Sequence, residues 1–102
     1  PAPNAGEAAR HGHGEKALVR ATLRARALHV LRVAAFEGHR TLVLGAWGCG
    51  VFRNDPAEVA TVFSRWLHAP AYLGAFDRVV FAIRDRSREQ ATLRAFERVL
   101  QP

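Results

Sequence analysis

Residues 41–59 read TLVLGAWGCGVFRNDPAEV, and the fold turns on how this stretch is divided. Its first four residues, Thr41 to Leu44, are apolar and rich in branched side chains, the pattern of a strand buried on both faces. At its far end Asp55 can cap a helix, Pro56 suits the first helical turn, and Glu58 completes the Asp version of a capping box. Val59, Val62, Phe63 and Trp66 then supply a buried helical stripe. Between strand and helix lie Gly45, Gly48, Gly50 and Cys49, in a loop with few side chains to fill space.

Working outward, residues 16–37 are dominated by Ala, Leu, Val and Arg. Leu18, Ala21, Ala25, Leu28, Leu31 and Ala35 recur at three- and four-residue steps, as on one face of a helix. Gly38 follows where a left-handed C-terminal cap is expected. On the other side, APAYLG (residues 69–74) ends the second helix, and RVVFAI (residues 78–83) reads as a second buried strand. Ser87 can cap a last helix carrying Leu93, Phe96 and Leu100. Residues 1–15 lack periodicity and read as a loop or segment end. The order is helix, strand, helix, strand, helix. Strands joined through a helix predict an α/β fold with parallel pairing, a right-handed crossover and helices on both sheet faces.

A chain of 102 residues suits one domain or part of one. Two strands leave unpaired edges, and there is no methionine even at position 1, so further strands are expected upstream of Pro1. With 15 Lys and Arg against 9 Asp and Glu, the chain favours anionic partners. Lys16 is its only lysine. A lone cysteine excludes an internal disulfide. No apolar run reaches membrane-span length, and PAPNAGEAARHGHGE does not have the layout of a secretory signal, so a cytoplasmic location is expected.

In a parallel α/β layer, ligands bind beyond the carboxyl ends of the strands, where this glycine loop falls. Glycines let a ligand approach the main chain, successive amides form a concave nest for an anion, and a following helix adds its positive end. The spacing is neither a Walker loop nor GxGxxG. From the residues alone, a phosphate cradle and a structural turn both remain open.

LVLGAWGCGVFRNDPAEVA also resembles the diphosphate-binding loop of microbial-type poly(ADP-ribose) glycohydrolases, a branch of the macrodomain superfamily. The Trp47 to Phe52 core carries most of that likeness, and PAPNAG, the arginine-rich helix and FDRVVFAI stand in the family's order. The resemblance implies the C-terminal part of a macrodomain-like three-layer α/β/α domain, with residues 1–102 as one portion and the upstream part absent. It implies that the backbone of Gly48, Cys49, Gly50 and Val51 wraps the diphosphate of ADP-ribose, and that Phe52 packs on the ribose nearest the scissile bond. The role of Arg53 stays open. The family's catalytic signature, a triple glycine followed by Gln-Glu-Glu, has no match here; Arg88, Glu89 and Gln90 are the nearest echo. A glycosidic bond needs a carboxylic acid to protonate the leaving oxygen and a carboxylate to activate water. The intact protein is therefore expected to hydrolyse ribose–ribose bonds of poly(ADP-ribose), while this stretch has no catalytic residue and is inactive alone.

Other readings of the same residues are weaker. Cys49 has no evident base to make it a nucleophile and reads as a small turn residue. Trp47 packs under the loop more readily than on an adenine. His11 and His13 are too few ligands for a metal, and nothing calls for an organic cofactor. Asp55 and Glu58 are explained by capping. Two alternative functions are a non-catalytic ADP-ribose reader and a basic nucleic-acid-binding module. Against the second, the arginines from Arg20 to Arg32 have no interleaved aromatic platform. The expected partner is ADP-ribose or its protein-linked polymer, with neither a membrane nor direct nucleic-acid contact.

Overall fold

The computed structural model describes residues 1–9, 14–50 and 52–101, and for Gly14 and Glu15 the backbone alone. Six elements follow in the order α1 (Ala5–Ala8), α2 (Gly14–Phe36), β1 (Thr41–Leu44), α3 (Pro56–His68), β2 (Arg78–Phe81) and α4 (Ala91–Leu100). The two strands pair in parallel, with Leu42 opposite Val79 and Leu44 opposite Phe81. The expected α/β class, element order and strand direction are all present. An additional turn, α1, sits in the segment read as a loop. It forms because the Asn4 side chain accepts from the Glu7 amide at 2.8 Å, a local cap with no periodic signature.

α2 ends as its sequence predicts. Gly38 takes φ +78°, its amide donates to Ala35, and the His39 amide donates to Ala34, which is the Schellman arrangement. Its buried face differs from the one read off the periodicity. Leu23, Ala27 and Leu31, each four apart, enter the core, whereas Leu18 is 60% exposed. Apolar residues surround α2 on several sides, so spacing alone did not choose among them.

The core lies between the helices and one face of the sheet. Leu23, Ala27 and Leu31 meet Val59, Ala60 and Phe63 of α3 and Phe96 of α4, with Leu42, Leu44 and Phe81 packed beneath. A row of rings links these parts: Trp47 to Phe63 at 5.8 Å, Phe63 to Phe81 at 6.1 Å, and Phe81 to Phe96 at 5.8 Å. These separations suit edge-on and tilted aromatic packing. The other sheet face differs from the expected two-sided burial. Side chains alternate along a strand, and Val43, on the face opposite Leu42 and Leu44, is 69% exposed.

Both strands are fixed at their starting ends by Arg40. Its Nε and Nη2 donate to the two Asp77 carboxylate oxygens at 2.9 and 2.7 Å, and Nη2 also reaches the Gly74 carbonyl. The glycine loop therefore occupies the opposite, carboxyl end of β1. At α4 the sequence reading placed the cap on Ser87, and the structure corrects this. Asp85 accepts from the Thr92 and Leu93 amides at 2.9 and 3.4 Å, while Ser87 closes only the turn before the helix by accepting from Gln90.

Candidate functional site

The loop leaving β1 is built from two consecutive turns. The first spans residues 46–49 and closes with the Cys49 amide donating to the Ala46 carbonyl at 3.0 Å. Gly48 sits third in it at φ +73°, the position where a type II turn requires a positive φ. In the second, the Arg53 amide donates to Gly50 at 3.0 Å, and Arg53 itself is left-handed at φ +57°. The Asn54 amide then returns to the Gly48 carbonyl at 2.9 Å and gathers both turns into one compact unit.

Asn54 holds that unit from below. It is 4% exposed, and its Nδ2 donates to the Pro3 carbonyl at 2.7 Å and to Gly48 at 2.8 Å. The Gly6 amide donates to the Phe52 carbonyl at 3.0 Å, so the N-terminal segment buttresses the loop at two points. Gly48 has no room for a side chain, since a Cβ there would lie 2.6 Å from Asn54 Nδ2 and 2.7 Å from the Ala2 methyl. Gly50 is the opposite case. Its φ is not positive, it is exposed, and a Cβ built on it meets none of the described residues within 4 Å. Neither a positive φ nor packing against the described residues requires glycine at position 50.

The amides divide in the same way. Among the described residues, those of Gly48, Gly50 and Phe52 donate to no protein acceptor, whereas that of Cys49 is engaged with Ala46. Val51 lies outside the described residues, as do His11 and His13. The helix contributes less than its position promised. Pro56 has no amide hydrogen, the Ala57 amide donates to Asp55 Oδ1 at 3.0 Å, and the Val59 amide donates to the Asp55 carbonyl. Glu58 does not close a capping box but turns to Arg20 at 3.4 Å. An anion here relies on the loop amides rather than on the already capped end of α3.

Each remaining candidate has a definite place. The Cys49 thiol contacts the Trp47 carbonyl at 3.7 Å, and burial, assisted by the negative charge of Asp55, pushes its pKa up to about 11. A thiol held protonated near neutral pH is a poor nucleophile. The Trp47 ring is turned edge-on to Phe63, under the loop. Phe52 is half-buried yet lies outside the hydrophobic cluster. The exposed Arg53 lays its stem over Gly6, whose Cβ position is 3.2 Å from Arg53 Cδ. Among the described residues, no three His, Cys, Asp or Glu side chains lie together as metal ligands. Sequence reasoning missed Asn54, which reads locally as one more turn residue beside Asp55 and Pro56. It also missed Ala2 and Pro3, buried in a segment whose composition reads as loop.

No family model matches the chain, and no curated protein matches it. Solved structures do. The poly(ADP-ribose) glycohydrolase of Deinococcus radiodurans in complex with ADP-ribose is 50% identical, with a TM-score of 0.94 over 99% of this chain and 40% of that one. Its apo form gives 0.93 at the same identity. The poly(ADP-ribose) glycohydrolase of Thermomonospora curvata is 44% identical, with a TM-score of 0.86 over 97% of this chain and 36% of that one. The chain therefore spans about two fifths of the length of the solved relatives it matches. The predicted loop-bearing α/β portion and these likenesses agree: this chain belongs to the microbial-type poly(ADP-ribose) glycohydrolase family.

Proposed function

We propose that the loop of residues 45–54 binds the diphosphate of ADP-ribose, in a protein that hydrolyses the ribose–ribose O-glycosidic bonds of poly(ADP-ribose). The observation that carries this is Gly50. It has an ordinary φ, open space where a side chain would stand, and an amide with no acceptor among the described residues. A glycine with neither a torsional nor a packing reason is explained by something outside the chain that must approach its backbone. A hydrogen bond to a charged group contributes about 1.5–3 kcal/mol, so the amides of Gly48, Gly50 and Val51 suffice to hold a diphosphate without a lysine. Cys49 shapes the turn, its own amide being engaged. Phe52, outside the core, packs on the adjoining ribose. The Deinococcus relative, solved with ADP-ribose, supports this choice of ligand.

Hydrolysis needs an acid and a base around the glycosidic oxygen. The carboxylates beside this loop are otherwise occupied, Asp55 as the cap of α3 and Glu58 with Arg20. The catalytic carboxylates therefore come from outside this stretch, and the stretch alone releases no ADP-ribose. Among the described residues, no helix is long and apolar enough to cross a membrane. A cytoplasmic site of action is part of the same proposal.

The test is calorimetric titration of ADP-ribose into the full chain. Gly50→Val and Phe52→Ala should each weaken binding at least about tenfold, or about 1.4 kcal/mol, with an unchanged denaturation midpoint. Unchanged affinity in both variants would remove the assignment.

A further inference from the structure

Five of the chain's fifteen cationic residues lie along a groove between α2 and α3, formed by three adjoining cavities of about 260, 300 and 290 Å³. Arg20 and Glu58 line both the first and the second; Arg24, Val62 and Arg65 line both the second and the third. The three cavities therefore adjoin one another along the two helices. The groove starts at residues 53–55, where the glycine loop ends, and follows α3 to Ala69, a distance of roughly 20 Å at the helical rise.

Among the described residues, Lys16, Arg20, Arg24, Arg53 and Arg65 line it, against two carboxylates, Asp55 and Glu58. Glu58 pairs with Arg20 at 3.4 Å, whereas Lys16, Arg24, Arg53 and Arg65 make no ion pair among the described residues. All five cationic residues are exposed. Arginine heads suit bidentate contact with phosphate oxygens. The floor is apolar, with Leu23, Val62 and Trp66. Trp66 is fixed by its indole donating to the Arg24 carbonyl at 3.1 Å. Cations along the groove, with the one indole of Trp66 at its Ala69 end, fit a chain that alternates pyrophosphates with bases.

We infer that this α2/α3 groove is a track for the pyrophosphates of poly(ADP-ribose) units beyond the one held at the glycine loop. This rests on the proposed function, because the loop supplies the anchored end from which the polymer enters the groove. A chain engaged at both places gains affinity by effective concentration, which a single ADP-ribose cannot.

The test uses the full chain with Arg24→Gln and Arg65→Gln together, and the charge-keeping Arg24→Lys with Arg65→Lys. Three probes are compared at several salt concentrations: ADP-ribose, immobilised long-chain poly(ADP-ribose) read in the initial association phase, and single-stranded RNA of matched charge. The Gln pair should weaken polymer binding about tenfold at low salt and make its logarithmic salt slope shallower by about 1.4. ADP-ribose affinity should not change, the Lys pair should restore the slope, and RNA should bind the unaltered protein more weakly than the polymer does. Unchanged polymer binding overturns the track. So does a parallel loss of ADP-ribose affinity, or RNA binding as tight as polymer binding and equally reduced by the Gln pair. Failure of the loop reading is seen separately, as ADP-ribose affinity unaffected by Gly50→Val.

Discussion

Gly48 and Gly50 stand two residues apart and are glycine for different reasons. At Gly48 an alanine would meet both φ +73° and atoms 2.6 and 2.7 Å from its Cβ. The left-handed backbone alone costs about 1–2 kcal/mol. Gly48→Ala should therefore lower the denaturation midpoint of the full chain, with any loss of ADP-ribose binding following that of the fold. Gly50→Ala should leave the midpoint in place and lower affinity alone. If both variants behaved alike, the division between an internal and an outward-facing glycine would be mistaken. Cys49 offers a second check. Its pKa of about 11 against an ordinary value near 9 makes the folded thiol about a hundredfold less ionised at neutral pH than the unfolded one. Alkylation of native protein should rise about tenfold per pH unit between 7 and 10. Because the folded state retains the proton, this residue's contribution to stability is complete below about 9 and declines as pH climbs towards 11. At this scale the glycines were legible, since their rarity of purpose shows in one short stretch. Asn54 was not, because its partner Pro3 is 51 residues away and nothing periodic connects them.

Among the elements, β1, α3 and β2 were legible from branched apolar runs and from the Asp55, Pro56 start signal. α2 was legible as a helix and in its Gly38 stop, but not in its buried face. The N-terminus of α4 shows why caps can escape notice. Gln90, in the capping position, is left-handed with no side-chain bond, and Asp85 reaches the amides from outside the helix. Hydrogen bonds from Ser87, first its hydroxyl and then its amide, with those from Leu93 and Thr92, hold the Asp85 carboxyl below its ordinary pKa. A carboxyl depressed in the folded state stabilises it above the ordinary carboxylate range, and that help is lost as pH falls through the folded value. Asp85→Asn should accordingly speed hydrogen exchange at the Thr92 and Leu93 amides at pH 6, with the gap from the unaltered protein closing in strong acid. Equal exchange at both pH values would assign the capping elsewhere.

Across the whole molecule, one sheet face carries the core and the other carries Val43 in the open. Phe36 at 88% and Val43 at 69% exposure are large apolar groups left in the open. The two-sided burial read from the β1 sequence is thus a property that 102 residues do not satisfy among themselves, in keeping with their spanning about 40% of the matched relatives. Prepared by itself, this stretch should bind a hydrophobic dye and self-associate through that face. Val43→Lys should reduce both, by light scattering and dye fluorescence, and no reduction would place the association elsewhere. The Asn54 bridge to Pro3 has a consequence for anyone wishing to borrow the loop. Transplanting TLVLGAWGCGVFRND into a foreign α/β scaffold would import the donors but leave behind the strut that shapes them. Grafts carrying PAPNAG at matching height would be the ones to keep the curvature, so the portable unit is two separate pieces of sequence rather than one.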